Sequence, residues 1–129
     1  MLAQGETLTL ERTLTQADFD AFAALSGDDN PIHVDPAFAA RTRFGRTVSH
    51  GMLLYGLLCA ALAEAAPGAT HLAQELVFPA PTYADEPLRI ALRAAEVDEA
   101  ARRALVEATI TRPDGETVCR ATTTLSWSE

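Results

Sequence analysis

The sequence is short of the features that mark several common function classes. It has only two cysteines, Cys59 and Cys119, and their spacing fits neither a metal site nor a redox pair. Both sit among apolar neighbours, where a free cysteine acts as a small core hydrophobe. No basic cluster offsets the net charge of −8, so nonspecific binding to nucleic acid or to an anionic membrane is disfavoured. Met1 to Leu10 has neither a basic start nor a long apolar run, so nothing there reads as a signal peptide. The longest apolar stretch, Met52 to Ala63, is too short to span a bilayer. Internal repeats, low-complexity tracts and linkers are all missing. What these absences leave is a soluble, cytoplasmic protein. Its 129 residues suggest one domain, 1–129, with one sizeable core.

The patterning that is present has two halves. Thr7 to Thr13 alternates loosely and predicts a first strand. Thr15 and Asp18 form a Thr-x-x-Asp capping box, followed by Phe19, Phe22 and Ala23 at helical spacing and by Gly27 where a helix would end. Asp35-Pro36 marks a second, short helix start, with Arg41 to Ser49 a polar loop. Gly51 to Ala66 is apolar on all sides, which predicts a buried helix. Beyond Pro67-Gly68 the pattern turns to strands: His71 to Phe78, Leu88 to Ala94, Leu105 to Thr111 and Val118 to Trp127. Pro113-Asp114-Gly115 is a hairpin signal. A buried helix followed by a meander must be wrapped by that sheet, so the expected class is α+β. The Thr122-Thr123-Thr124 run suits an exposed or paired edge.

Between the halves lies Ser26-Gly-Asp-Asp-Asn-Pro-Ile-His33, with two carboxylates, an amide and an imidazole in eight residues. Gly27 and Pro31 predict an ordered loop rather than a helix or strand interior. Taken alone, this stretch reads equally well as a place for chemistry on a loop between apolar flanks and as a helix cap followed by a tight, solvated turn. Asp28, His33, Asp35 and His50 include ligand types for zinc, but their spacing matches no metal motif. Asp35 reads as a helix cap, Asp29 as exposed, His71 as a strand surface residue, and His50 as a structural residue at the start of the long helix.

Phe22-Ala-Ala-Leu-Ser-Gly-Asp-Asp-Asn-Pro-Ile-His33, followed by Asp35, Pro36 and Phe38, resembles the signature of the MaoC-like, R-specific enoyl-CoA hydratases. The likeness extends to Val48-Ser-His-Gly-Met-Leu53 and to Glu75-Leu-Val-Phe78 with Pro81. It implies the hot-dog fold, an antiparallel sheet wrapped around a long central helix. It also implies that Asp28 and His33 form a catalytic dyad and that Asn30 helps hold the loop and a water. Gly51 would offer its N–H to the thioester carbonyl. Cys59 stands where the family often has a serine near the catalytic Asp, and a thiol is a much weaker hydrogen-bonding group.

The activity implied is addition of water to a trans-2-enoyl thioester, giving an (R)-3-hydroxyacyl thioester, or the reverse dehydration. No cofactor is expected, coenzyme A being part of the substrate. The partner would be an acyl-CoA or acyl-carrier-protein thioester, and a second copy of the chain would complete a homodimer with pockets at the interface. Phe78, Tyr83, Leu53, Leu54 and Leu57 are candidates for the acyl pocket, although aromatic strand residues are commonly core. Arg41, Arg43 and Arg46 are the densest basic group and are candidates for contact with the coenzyme phosphates, against a plain reading as a solvated loop. Two rival functions share the fold: an acyl-CoA thioesterase and a non-catalytic acyl-thioester-binding module.

Overall fold

The computed structural model describes residues 2–128. Met1 and Glu129, the ends of the expected 1–129 domain, lie outside the described residues. The element order is β1 (Thr7–Thr13), α1 (Gln16–Ser26), α2 (Pro31–Val34), α3 (Pro36–Ala40), α4 (Gly51–Ala65), β2 (Thr70–Val77), β3 (Pro87–Asp98), β4 (Arg103–Thr111) and β5 (Thr117–Ser126).

The strands form one antiparallel sheet in the order β1-β3-β4-β5-β2. Alternation along β3 and β4 sends Leu88, Ile90, Leu92, Val106, Ala108 and Ile110 to the inner face, all of them buried. β3 runs four residues past the expected end at Ala94. The register shifts between Ala94 and Glu96, and this irregularity breaks the sequence alternation without ending the strand. The β4–β5 hairpin turns where the sequence signalled it: Gly115 has φ 88° and donates to the Arg112 carbonyl at 3.0 Å. The threonine run does not mark an edge. β5 is paired on both sides, Thr123 is buried, and the edges are β1 and β2.

The segment before α4 is organised by caps. Thr15 and Asp18 bond reciprocally at the start of α1, and Gly27 closes it at φ 83° with its N–H on the Ala23 carbonyl. Asp35 accepts from the Phe38 N–H at 3.1 Å to begin α3 behind Pro36. The stretch expected as loop contains one helical turn, α2. Asn30 caps it by accepting from the Ile32 N–H at 3.2 Å, and Pro31 supplies a preset φ at the first position. A single turn has no apolar periodicity to announce it.

α4 lies against the sheet, but only on one face. Leu54, Leu58, Ala61 and Leu62 are buried with the inner residues of β3, β4 and β5. Met52 is 53% exposed, and Gly56, Ala60 and Ala63 on the same side are exposed too. The expectation of complete wrapping therefore fails within one chain. The all-round apolar pattern says that the whole helix surface avoids water, and one sheet covers only part of it.

Candidate active site

The eight-residue stretch comes to lie beside the N-terminus of α4. His33, in α2, is held through its Nδ1, 2.8 Å from the Val48 carbonyl. A carbonyl only accepts, so Nδ1 carries the proton and, in the neutral ring, Nε2 presents a lone pair. That Nε2 lies 3.9 Å from Asp28 Oδ2. The gap is too long for a direct hydrogen bond and is one that a water bonded to both groups would close. The two groups differ in setting: the His33 side chain is 14% exposed and that of Asp28 is 56% exposed. His33 is also fixed from behind. Gln16 donates from Nε2 to the His33 carbonyl at 2.9 Å and accepts from the Thr47 hydroxyl at 2.5 Å.

His50 joins the pair. Its Nε2 is 2.8 Å from the Asp28 backbone carbonyl, which fixes that nitrogen as the donor. Its ring stacks on His33 with centroids 3.8 Å apart and planes 25° apart. Ligand-type atoms of Asp28, His33 and His50 lie within 4.8 Å of one another. An imidazole binds a metal in its own ring plane, and these stacked rings do not converge on one ion. His50 has also committed its Nε2 to the carbonyl.

The N-terminus of α4 carries no side-chain cap, which leaves its first N–H groups open to a ligand. Gly51 heads this helix. A Cβ there would sit 2.9 Å from the Phe78 ring, so close approach, not φ, requires glycine. Gly51 and Phe78 line a groove of about 290 Å³ together with Arg43, Phe44, Ser49 and Thr82.

A family model described as MaoC like domain matches residues 3–114. The chain belongs to the MaoC-like domain family. It is 36% identical over 110 residues to the 3-hydroxybutyryl-CoA dehydratase of Methylorubrum extorquens, covering 84% of this chain and 70% of that protein. It is 44% identical over 84 residues to the (R)-specific enoyl-CoA hydratase of Aeromonas caviae, covering 64% of this chain and 63% of that one. The solved structure of the Aeromonas caviae (R)-hydratase involved in PHA biosynthesis superposes with a TM-score of 0.93 at 32% identity, covering 98% of both chains. The fold is the hot-dog fold.

Within this MaoC-like chain the other expected residues are spread over several places. Asn30 caps α2, and Asp29 is exposed. Leu53 does not share the Phe78 groove. With Leu57 it lines a separate groove against Phe22 and Leu25 of α1. Of the three arginines, Arg43 reaches the Phe78 groove and stacks on Phe44 at 4.7 Å. Arg46 lies over Tyr83 at 3.8 Å and pairs with Glu86 at 3.7 Å, while Arg41 lies near Phe38.

Cys59 is nine residues beyond His50, about 13 Å along the helix at ~1.5 Å per residue. Its neighbour is Tyr55, whose hydroxyl is 3.0 Å from His71 Nδ1. Burial, with the Cys59 thiol adding to it, pushes the Tyr55 phenol up to about 12. His71 is therefore a half-buried partner of Tyr55 rather than a plain surface residue. Gln16 and the Asp28 contact of His50 escaped the sequence reading. The pairs lie 17 and 22 residues apart, and no local spacing signals them.

Proposed function

We propose that the protein is an (R)-specific enoyl-thioester hydratase, adding water across the 2,3 double bond of a trans-2-enoyl thioester and catalysing the reverse dehydration. One observation carries this reading. The Val48 carbonyl holds His33 as the Nδ1–H tautomer, so its Nε2 and the Asp28 carboxylate are both acceptors, 3.9 Å apart, beside an uncapped helix N-terminus.

A water donating one hydrogen to each acceptor has an oxygen lone pair free to attack C3. The pair takes up the proton released, and the negative charge passes through C2 to the thioester oxygen. The Gly51 N–H, with the dipole of α4 behind it, is the donor proposed for that oxygen. The pair then returns a proton to C2, on the face that received the hydroxyl. All atoms come from water and the thioester, so no cofactor is called for.

The substrate would be an acyl thioester of coenzyme A or of an acyl-carrier protein. Arg43 is the arginine proposed for its phosphates, since it lines the same groove as Gly51. A homodimer would cover what one chain leaves open: the Met52 face of α4, and the edge strand β2 with Leu72 and Val77 half exposed. None of the described helices is long and apolar enough to cross a membrane, and we take the cytoplasm as the place of action.

Mixing the protein with crotonyl-CoA tests the reading. Loss of enoyl absorbance without free thiol, with the (R)-3-hydroxy product on chiral analysis, is the expected result. Release of free thiol would make the protein a thioesterase, and binding without turnover would make it an acyl-thioester-binding module.

A further inference from the structure

We propose that His50 is a positioning residue for the Asp28–His33 pair, acting through its Nε2–H bond to the Asp28 carbonyl; this rests on the hydratase reading of that pair. Asp28 sits in an exposed turn between α1 and α2. Its backbone has two anchors. The N–H donates to the Ser26 hydroxyl at 3.1 Å, a contact two residues away that cannot set the turn relative to His33. The carbonyl accepts from His50 at 2.8 Å, across 22 residues of chain. The same ring stacks on His33 with centroids 3.8 Å apart and meets Phe22 at a tilt, with planes 55° apart and centroids at 4.7 Å. One side chain thus sets the height of the Asp28 turn over the α4 N-terminus and gives the His33 ring a wall.

A purely space-filling role does not account for imidazole at this position. His50 is 2% exposed, and its Nδ1 is buried without a partner. An orphaned buried acceptor costs about 1–3 kcal/mol. An apolar ring would fill the same space without that cost. What imidazole adds is the donor to Asp28.

The test uses two variants and one measurement on the unaltered protein. His50→Phe keeps a ring against His33 and removes the donor. His50→Gln places an amide N–H at about the reach of Nε2. With crotonyl-CoA, His50→Phe should lower kcat by roughly 10- to 100-fold, the effect of a displaced catalytic group. KM should move by less than about 3-fold, and His50→Gln should recover most of the loss. A His50→Phe enzyme with near-normal kcat, or a His50→Gln enzyme no better than it, overturns the proposal.

Nitrogen-15 spectra of histidine-labelled protein, at a pH well above the ordinary histidine range, give an answer that does not depend on either variant folding. They should show His50 as the Nε2–H tautomer and His33 as the Nδ1–H tautomer. An Nδ1–H tautomer at His50 rules the proposal out. Failure of the hydratase reading would look different: no hydration by the wild type, with the tautomers unchanged.

Discussion

The polar segment from Thr15 to His50 and the strands β3 to β5 are held by different forces. The strands are fixed by burial. Leu88, Ile90, Ile110 and Val118 are fully buried, and each such side chain contributes on the order of 1.5–3 kcal/mol. In the polar segment α2 buries no residue, and α1 and α3 bury only Phe19, Ala23 and Ala39. Its shape comes from caps and from long-range hydrogen bonds: Asn30 and Asp35 at helix starts, Gln16 on the His33 carbonyl, His50 on that of Asp28. Apolar packing tolerates small shifts, whereas a hydrogen bond fixes an atom to a few tenths of an ångström. The part that must place two side chains around one water is built from the second kind of contact.

If that division holds, changes in the two regions fall on different measurements. The largest effect belongs to the dyad. Asp28→Asn and His33→Ala should each lower kcat on crotonyl-CoA by about 10³-fold or more, within the range of acid–base catalysis joined to loss of the water site. Asp28 is exposed, so the melting temperature of Asp28→Asn should stay within roughly 3 °C of wild type. Near-normal turnover in both variants would remove the dyad. The converse is Ile90→Ala, where Ile90 pairs with Leu10 and Ile110 across the sheet. Urea unfolding should show a loss of about 2–5 kcal/mol. At low temperature, where the variant stays folded, kcat should remain within about 3-fold of wild type. A large kcat loss there would mean that the sheet also sets the site geometry.

The same division decides what could be read from residue order. Capping signals lie within four residues of one another, so Thr15, Asp18, Gly27 and Asp35 were legible and appear where expected. The alternation of β3 and β4 was legible for the same reason. So was the Asp-x-Asn-Pro-x-His spacing, whose two ends meet because one turn of helix brings His33 back toward Asp28. Contacts between distant segments left no mark, which hid the roles of Gln16 and His50. The open face of α4 was hidden differently. An apolar surface records that something covers it, but not whether the cover is this chain's sheet or a second copy. The threonines of β5 misled because β-propensity reports a pleated, half-buried surface and not an edge.

A smaller effect inside the sheet separates burial from everything else. Burial pushes the Cys119 thiol from 9.0 up to about 11. The folded state therefore keeps this proton over a pH range in which the unfolded chain loses it. The resulting stability is fully present below about pH 9 and declines as pH rises toward about 11, by at most ~2–3 kcal/mol. Tyr55, raised to about 12, adds its own loss only above its ordinary value of 10.0. Between pH 9 and 10, Cys119→Ala should therefore flatten the decline seen in wild type. Urea midpoints measured every half unit of pH would show it. Parallel curves would mean that the thiol is not held in the sheet interior.

A small change in stability gives the sharpest test of the comparison. Asn30 is exposed, and its side-chain oxygen accepts the 3.2 Å capping bond from the Ile32 N–H. Replacing a capping side chain with alanine costs about 1 kcal/mol, and the core is untouched, so Asn30→Ala should lower the urea midpoint by only about 0.3–1 M, well short of the Ile90→Ala shift. The cap nonetheless begins the single turn that carries His33, and that turn buries nothing that would hold it in place. Fraying would let His33 Nε2 drift from its 3.9 Å spacing to Asp28, lowering kcat by roughly 10-fold. Asn30→Asp and Asn30→Ser keep a capping oxygen and should restore most of the activity. Asn30→Ala with full activity would show that Pro31, Gln16 and His50 suffice, and that the polar segment is held by long-range bonds alone. A kcat loss that Asn30→Ser does not recover would instead assign the Asn30 amide to the reacting water.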